Sequence, residues 1–186
     1  MRFAYADPPY LNCCRLYGHH HPEGARPFDG RCWDDVETHR LLIEWLSVEF
    51  PDGWALSATS PSLRVLLPMT PVDTRISAWV KTFCAFKRGV RPAYAWEPVL
   101  FRSLANPPHR AHAPPQKGGK QNTPKDFFAG PITLKKGLTG AKSEDFCRWV
   151  LNLLNVNKGD QVIDLFPGTG SMTLVASRLT SAPDSI

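Results

Sequence analysis

Two stretches of this 186-residue chain carry side chains whose types and spacing can do chemistry. The first is Asp7-Pro8-Pro9-Tyr10, which presents a carboxylate, two rigid residues without backbone donors and an aromatic face together. Such a set suits an amino group attached to a flat ring. Asp7 and the carbonyl of Pro8 can accept the two amino hydrogens, which keeps the nitrogen lone pair available, while Tyr10 stacks on a base rotated out of its duplex. A nitrogen held in this way can attack a methylsulfonium. A proline-terminated strand with a capping acid would account for the same residues without any chemistry.

The second stretch is Asp164-Leu165-Phe166-Pro167-Gly168-Thr169-Gly170-Ser171. It reads as the end of a strand, a glycine turn and the start of a helix, where missing side chains let backbone amides approach a ligand. It lacks the GxxxxGK[ST] pattern of a phosphate-cradling loop and falls short of the GxGxxG dinucleotide fingerprint, so nucleoside triphosphate and NAD fit it less well. A lone GxG is also common turn chemistry.

The elements that must position these stretches alternate between strand and helix. Arg2 to Ala6 reads as a short buried strand that breaks at Pro8-Pro9, and residues 11 to 34, rich in Gly, His and Pro, as a long loop of the lid or binding type. Asp34 to Phe50 carries Val36, Leu41, Leu42, Trp45, Leu46 and Phe50 at helical spacing, with Asp34 or Asp35 as N-cap. Trp54 to Ala58 follows as a strand, Ser60 to Leu67 as a short helix opened by Ser-Pro, Arg75 to Phe83 as a strand, and Glu97 to Arg102 as a strand whose direction composition does not give. Residues 103 to 140 show little periodic hydrophobicity and are expected to be irregular. Ser143 to Leu154 has one apolar helical stripe, Gln161 to Phe166 is a short strand, and Ser171 to about Leu179 is an amphipathic helix. This is an α/β pattern in a chain long enough for a single domain, residues 1 to 186.

Charge is unevenly placed. Between Ser103 and Lys142 there are seven Lys or Arg against one acid, Asp126, so that segment is +6 while the whole chain is +5 and the remainder −1. A positive block on a near-neutral body suits a polyanion such as DNA, with Arg110, Lys117, Lys120 and Lys125 as candidate phosphate contacts, although a solvated insert has the same composition. No apolar run approaches the roughly 18 residues of a membrane span, and an acid and two prolines interrupt the N-terminus before a signal-peptide core could form, so a cytoplasmic protein is expected. Five cysteines without a framework are expected as reduced thiols. Cys13, Cys14 and Cys32 with His19, His20 and His21 do not match the spaced patterns of zinc modules, so no metal is expected. Trp33, Trp45, Trp54, Trp79 and Trp149 are assigned to the core or its margins, and Trp96-Glu97-Pro98 to packing and surface or to the edge of a base site.

Taken together, the two motifs resemble those of the DNA amino-methyltransferases, whose catalytic tetrapeptide is Asp/Asn/Ser-Pro-Pro-aromatic and whose cofactor loop is an acid followed by Phe-x-Gly-x-Gly. Gly140-Ala141-Lys142-Ser143 looks like the Lys-Pro helix start of that family, with Ser143 in place of proline. The order of motifs, tetrapeptide first and cofactor loop last, is similar to the circularly permuted β-type group. The resemblance implies a Rossmann-like sheet with helices on both faces, in which the strands ending at Asp7 and Asp164 lie side by side, and an irregular basic insert over 103 to 140 in the place of a target-recognition region. It implies S-adenosylmethionine as cofactor, held by Asp7, Lys142, Asp164, Phe166, Pro167, Gly168, Thr169, Gly170 and Ser171, with Asp7, Pro8, Pro9 and Tyr10 catalytic and DNA as partner. The expected reaction is methylation of adenine N6, with cytosine N4 as the alternative and RNA less favoured. The family also has a ribose-binding strand and acid after the glycine-loop helix, whereas this sequence runs six residues past Thr180. The implied sheet is therefore reduced on that side, with Asp184 as the remaining acid. That departure favours the second alternative, a catalytically inactive DNA-binding derivative.

Overall fold

The computed structural model of the chain describes residues 1–13, 26–28, 31–84, 88–104, 124–133 and 141–181. These form β1 (Arg2–Ala6), α1 (Val36–Glu49), β2 (Gly53–Ser57), α2 (Leu63–Leu66), β3 (Arg75–Lys81), β4 (Trp96–Ser103), β5 (Phe127–Gly130), α3 (Glu144–Leu153), β6 (Gln161–Asp164) and α4 (Ser171–Thr180). One six-stranded sheet runs in the order β5-β3-β4-β2-β1-β6. β1 pairs in parallel with β2 on one side and β6 on the other, β4 is antiparallel to both β2 and β3, and β5 is parallel to β3.

The two-residue period of β1 divides the core. Phe3 and Tyr5 point to a layer containing Phe146, Trp149 and Val150 of α3 and Met172, Val175 and Ala176 of α4. Ala4 and Ala6 point to the opposite layer, where Leu42, Ile43 and Leu46 of α1 pack with Trp54 and Leu56. Large residues on one face and small ones on the other set how closely each helix layer approaches the sheet. Phe3, Ala4 and Ala6 are fully buried, as expected for a strand covered on both faces. Phe146 joins α3 to the sheet through ring contacts with Tyr5, Trp79, Phe128 and Trp149.

Side-chain caps fix both long helices that precede strands. The Asp35 carboxylate accepts from the Glu37 amide at 3.2 Å and opens α1, while the Ser143 hydroxyl accepts from the Phe146 amide at 3.2 Å and opens α3. Val36, placed on the apolar stripe by its spacing, is exposed at the first position of α1.

Several boundaries depart from the sequence expectation. The segment expected to be irregular contains β5, because Phe128 packs on Phe146 and Trp149 and because the Trp79 indole donates to the Gly130 carbonyl at 3.1 Å. Tertiary contacts therefore define a strand that its Pro- and Lys-rich surroundings conceal. β3 ends at Lys81, not Phe83, and the expected helix over 60 to 67 is a 3-10 turn, the single turn α2 and a second 3-10 turn, opened by Thr59 with Ser62 and not by Ser60. β4 starts one residue earlier and ends one later than expected, with Pro98 inside it. The Pro98 carbonyl accepts from the Ala58 amide at 3.0 Å, so the ring nitrogen faces the same side, at the end of β2, where the one bond it cannot donate is the last of that ladder and none to β3 is required of it. Among the described residues, no helix is long and apolar enough to cross a membrane.

Candidate functional site

The carboxyl ends of β1 and β6 lie next to each other, with Tyr5 opposite Asp164 in the parallel register. Asp7-Pro8-Pro9-Tyr10 leaves the end of β1, and Phe166 to Gly170 leaves the end of β6, so both motifs open on one edge of the sheet. β1 stops there because two prolines in succession cannot continue its ladder.

Asp7 is the hub of a largely buried polar cluster. Its Oδ1 accepts from the Tyr10 hydroxyl at 2.9 Å, and its Oδ2 pairs with the Lys142 ammonium at 3.2 Å. Lys142 also donates to the Tyr10 hydroxyl at 2.9 Å and pairs with Glu97 Oε2 at 3.4 Å. The Tyr10 hydroxyl lies 3.1 Å from Glu97 Oε2, and Glu97 Oε1 is paired with Lys81. Two carboxylates thus face two ammonium groups, contributed by the end of β1, β3, β4 and the approach to α3. The rings of Tyr10 and Trp79 each lie 5.5 Å from the Lys142 nitrogen and Phe146 at 5.8 Å, which offsets part of the cost of burying that charge.

Burial raises the Asp7 carboxyl above its ordinary value of 3.8, opposed by the Lys142 cation and reinforced by Glu97. Glu97 is also raised by burial, but Lys142 and Lys81 outweigh that effect and hold it below its ordinary value. The two acids of one cluster are therefore shifted in opposite directions, Asp7 up and Glu97 down. Beneath both motifs lies Cys147, whose thiol is pushed up to about 12, first by burial and then by Asp164.

The glycine turn has a different character. Pro167, Gly168 and Thr169 are exposed, Gly168 and Gly170 have φ of 47° and 75°, and Gly170 directly precedes α4. A Cβ at Gly170 would meet nothing within 4 Å, and one at Gly168 only the Phe166 carbonyl at 3.8 Å, so the outer face of the turn is open. Asp164 is partly buried, accepts from the Thr173 hydroxyl at 2.9 Å and is raised chiefly by desolvation. Phe166 is braced by Trp33 with ring centroids 5.2 Å apart, by Phe28 at 6.3 Å and by the Arg26 guanidinium at 5.9 Å. Residues 26–28 and Trp33 belong to the loop expected over 11 to 34, so part of that loop buttresses the glycine turn.

The cluster brings together Asp7, Tyr10 and Lys142, with Pro8 buried between them in sequence and Pro9 half-buried. Tyr10 is buried under Lys142 with its hydroxyl engaged, where the sequence predicts an open stacking face. Lys142, expected at the edge of the cofactor pocket, is bound to Asp7. Lys125 is exposed just before β5, with its carbonyl accepting from the Trp149 indole at 2.9 Å, while Arg110, Lys117, Lys120 and Asp184 lie outside the described residues, as do Cys14 and His19 to His21. Sequence reasoning missed Lys81 and left Glu97 as packing and surface. The signal was present as two oppositely charged residues at the facing ends of successive strands, but reading it requires the antiparallel pairing of β3 with β4.

No protein-family model matches the chain, and no curated protein matches it. Among solved structures it is similar to M1.HpyAVI in complex with SAM, with a TM-score of 0.52 and 14% identity over 95% of this chain and 76% of that one. It is likewise similar to M1.HpyAVI alone, with a TM-score of 0.50 and 16% identity over 95% of this chain and 75% of that one. The likeness establishes a Rossmann-like methyltransferase fold.

Proposed function

We propose that this chain transfers a methyl group from S-adenosylmethionine to the N6 amino group of adenine in DNA. The observation that carries the reading is the juxtaposition of Asp7-Pro8-Pro9-Tyr10 with the glycine turn at the ends of two adjacent parallel strands. The fold neighbour M1.HpyAVI forms a complex with SAM, which is consistent with this assignment.

The glycine turn fits such a cofactor, because its left-handed glycines leave the surface above the start of α4 clear of side chains. Asp164, Phe166, Pro167, Gly168, Thr169, Gly170 and Ser171 would hold it, with Asp7 towards its reactive end. When bound, S-adenosylmethionine supplies an electrophilic methyl group on a sulfonium. Asp7 and the Pro8 carbonyl accept the hydrogens of the target amine and aim its lone pair, a contribution of positioning more than of acid or base strength. Asp7 must be ionised to accept both electrostatically and by hydrogen bonding, and the Lys142 cation favours that form against the effect of burial. Tyr10 packs against the base once entry of the base uncovers a face of its buried ring. The basic segment, with Arg110, Lys117, Lys120 and Lys125, supplies phosphate contacts.

The test is to incubate the purified protein with unmethylated DNA and tritiated S-adenosylmethionine, digest the DNA to nucleosides and identify the labelled one. Label in N6-methyldeoxyadenosine is expected. Label in N4-methyldeoxycytidine would transfer the same geometry to the other exocyclic amine, and absence of label would overturn the enzymatic reading in favour of a DNA-binding derivative.

A further inference from the structure

Lys142 sits on the acceptor that the target amine needs. Its ammonium pairs with Asp7 Oδ2 at 3.2 Å, and in a buried cluster this cation must keep a counter-charge when Asp7 turns to a substrate. Glu97 is built to provide one. Its Oε1 is tied to Lys81 and its Oε2 faces both Lys142, at 3.4 Å, and the Tyr10 hydroxyl, at 3.1 Å, so the two oxygens serve different cations and the carboxylate is fixed from both sides. Glu97 comes from β4 and Lys81 from β3, which pair so that Trp79 lies opposite Glu97 and Lys81 is two residues further along the same face. The anchor therefore stands on the sheet, apart from the turn that carries Asp7.

We propose that Glu97 is a positioning residue that retains Lys142 and the Tyr10 hydroxyl, and so frees the Asp7 carboxylate for the exocyclic amine of the target base. The proposal rests on the methyltransferase reading of the Asp7 site. Without the Glu97 charge, Lys142 leans more strongly on Asp7, the other carboxylate it pairs with among the described residues, and the incoming amine has to compete with an ammonium for it.

Glu97→Gln removes the charge and keeps the shape. It is expected to lower methyl transfer to DNA roughly 10-fold to 100-fold, the scale of a misplaced reacting group, with S-adenosylmethionine affinity unchanged by calorimetry. Adding Lys142→Met to Glu97→Gln removes the competing cation and should recover part of the lost rate. Glu97→Asp keeps the charge one methylene further back and should fall between the parent and Glu97→Gln, and it serves as the second variant if Glu97→Gln does not fold. Carbon-13 NMR titration of the Asp7 carboxyl gives a readout independent of turnover. In Glu97→Gln this carboxyl should titrate lower than in the parent, because the Glu97 charge that raises it is gone and Lys142 turns fully onto it, and adding Lys142→Met should reverse the second part of that shift. A parent rate in Glu97→Gln, losses that simply add in the double variant, equal rates for Glu97→Asp and Glu97→Gln, or an unmoved Asp7 titration would each overturn the proposal. A parent that transfers no methyl while the Asp7 titration still moves would reject the methyltransferase reading and leave the coupling between Glu97, Lys142 and Asp7 standing.

Discussion

Asp7 does its proposed work only as a carboxylate, and its surroundings determine at what pH it is one. Burial raises its pKa and Lys142 lowers it, with a net shift upward from 3.8. The rate of methyl transfer should therefore fall as pH drops through a midpoint above the ordinary aspartate value. Lys142→Met removes the opposing cation, so that midpoint should move further up. A pH profile of tritium transfer for the two proteins checks both directions, and a midpoint that moves down in the variant contradicts the electrostatic account. Cys147 gives a second prediction at this scale. A fully buried thiol raised to about 12 carries almost no thiolate at neutral pH, so in the native protein iodoacetamide should label the exposed Cys32 and spare Cys147. Peptide mass mapping after brief labelling reads the difference, and equal labelling would show that the layer under α3 opens readily.

The elements turn these residues into a site, and the glycine turn shows how. Gly170 has φ of 75° and open space where a Cβ would stand, so Gly170→Val introduces backbone strain of about 1–3 kcal/mol without a steric clash. The protein should remain folded while the new side chain occupies the open face, and calorimetry should show S-adenosylmethionine affinity largely lost; unchanged affinity would place the cofactor elsewhere. Phe146 is the corresponding position for the fold. It is fully buried among Tyr5, Trp79, Phe128 and Trp149, so Phe146→Ala should cost about 3–5 kcal/mol in urea denaturation. The strands that end in motifs were legible in the sequence, because prolines and glycines follow them closely, although β6 ends at Asp164, two residues before the Phe166 expected, where the chain turns toward Pro167. Helices α1 and α3 were legible from apolar spacing and from Asp35 and Ser143 as caps. β5 was not, since four residues carry too little periodicity and its pairing depends on Trp79 and Trp149, which lie 48 and 22 positions from Phe127 in the sequence. The Glu97 to Lys81 pair was hidden for a related reason, because strand direction is set by tertiary pairing and not by composition.

At the scale of the whole molecule, the sheet brings together two motifs separated by almost the full length of the chain, with helices covering both faces and the basic segment inserted between them. If that segment binds phosphates, replacing Lys117, Lys120 and Lys125 by Gln should flatten the dependence of DNA affinity on salt by about 0.9 in log-log slope for each phosphate no longer neutralised. An unchanged slope in a filter-binding series would make the segment a solvated insert. The central claim is that Asp7-Pro8-Pro9-Tyr10 is where methyl transfer takes place, beside a cofactor held by the glycine turn. Tritium transfer from labelled S-adenosylmethionine to DNA, compared between the parent and Asp7→Ala at equal cofactor occupancy, tests it most directly. The account predicts a loss of about 100-fold to 1000-fold, the scale of removing one aimed polar group at a reacting centre, with cofactor binding intact. Retention of more than about a tenth of the parent rate, against the loss expected for such a group, would contradict it.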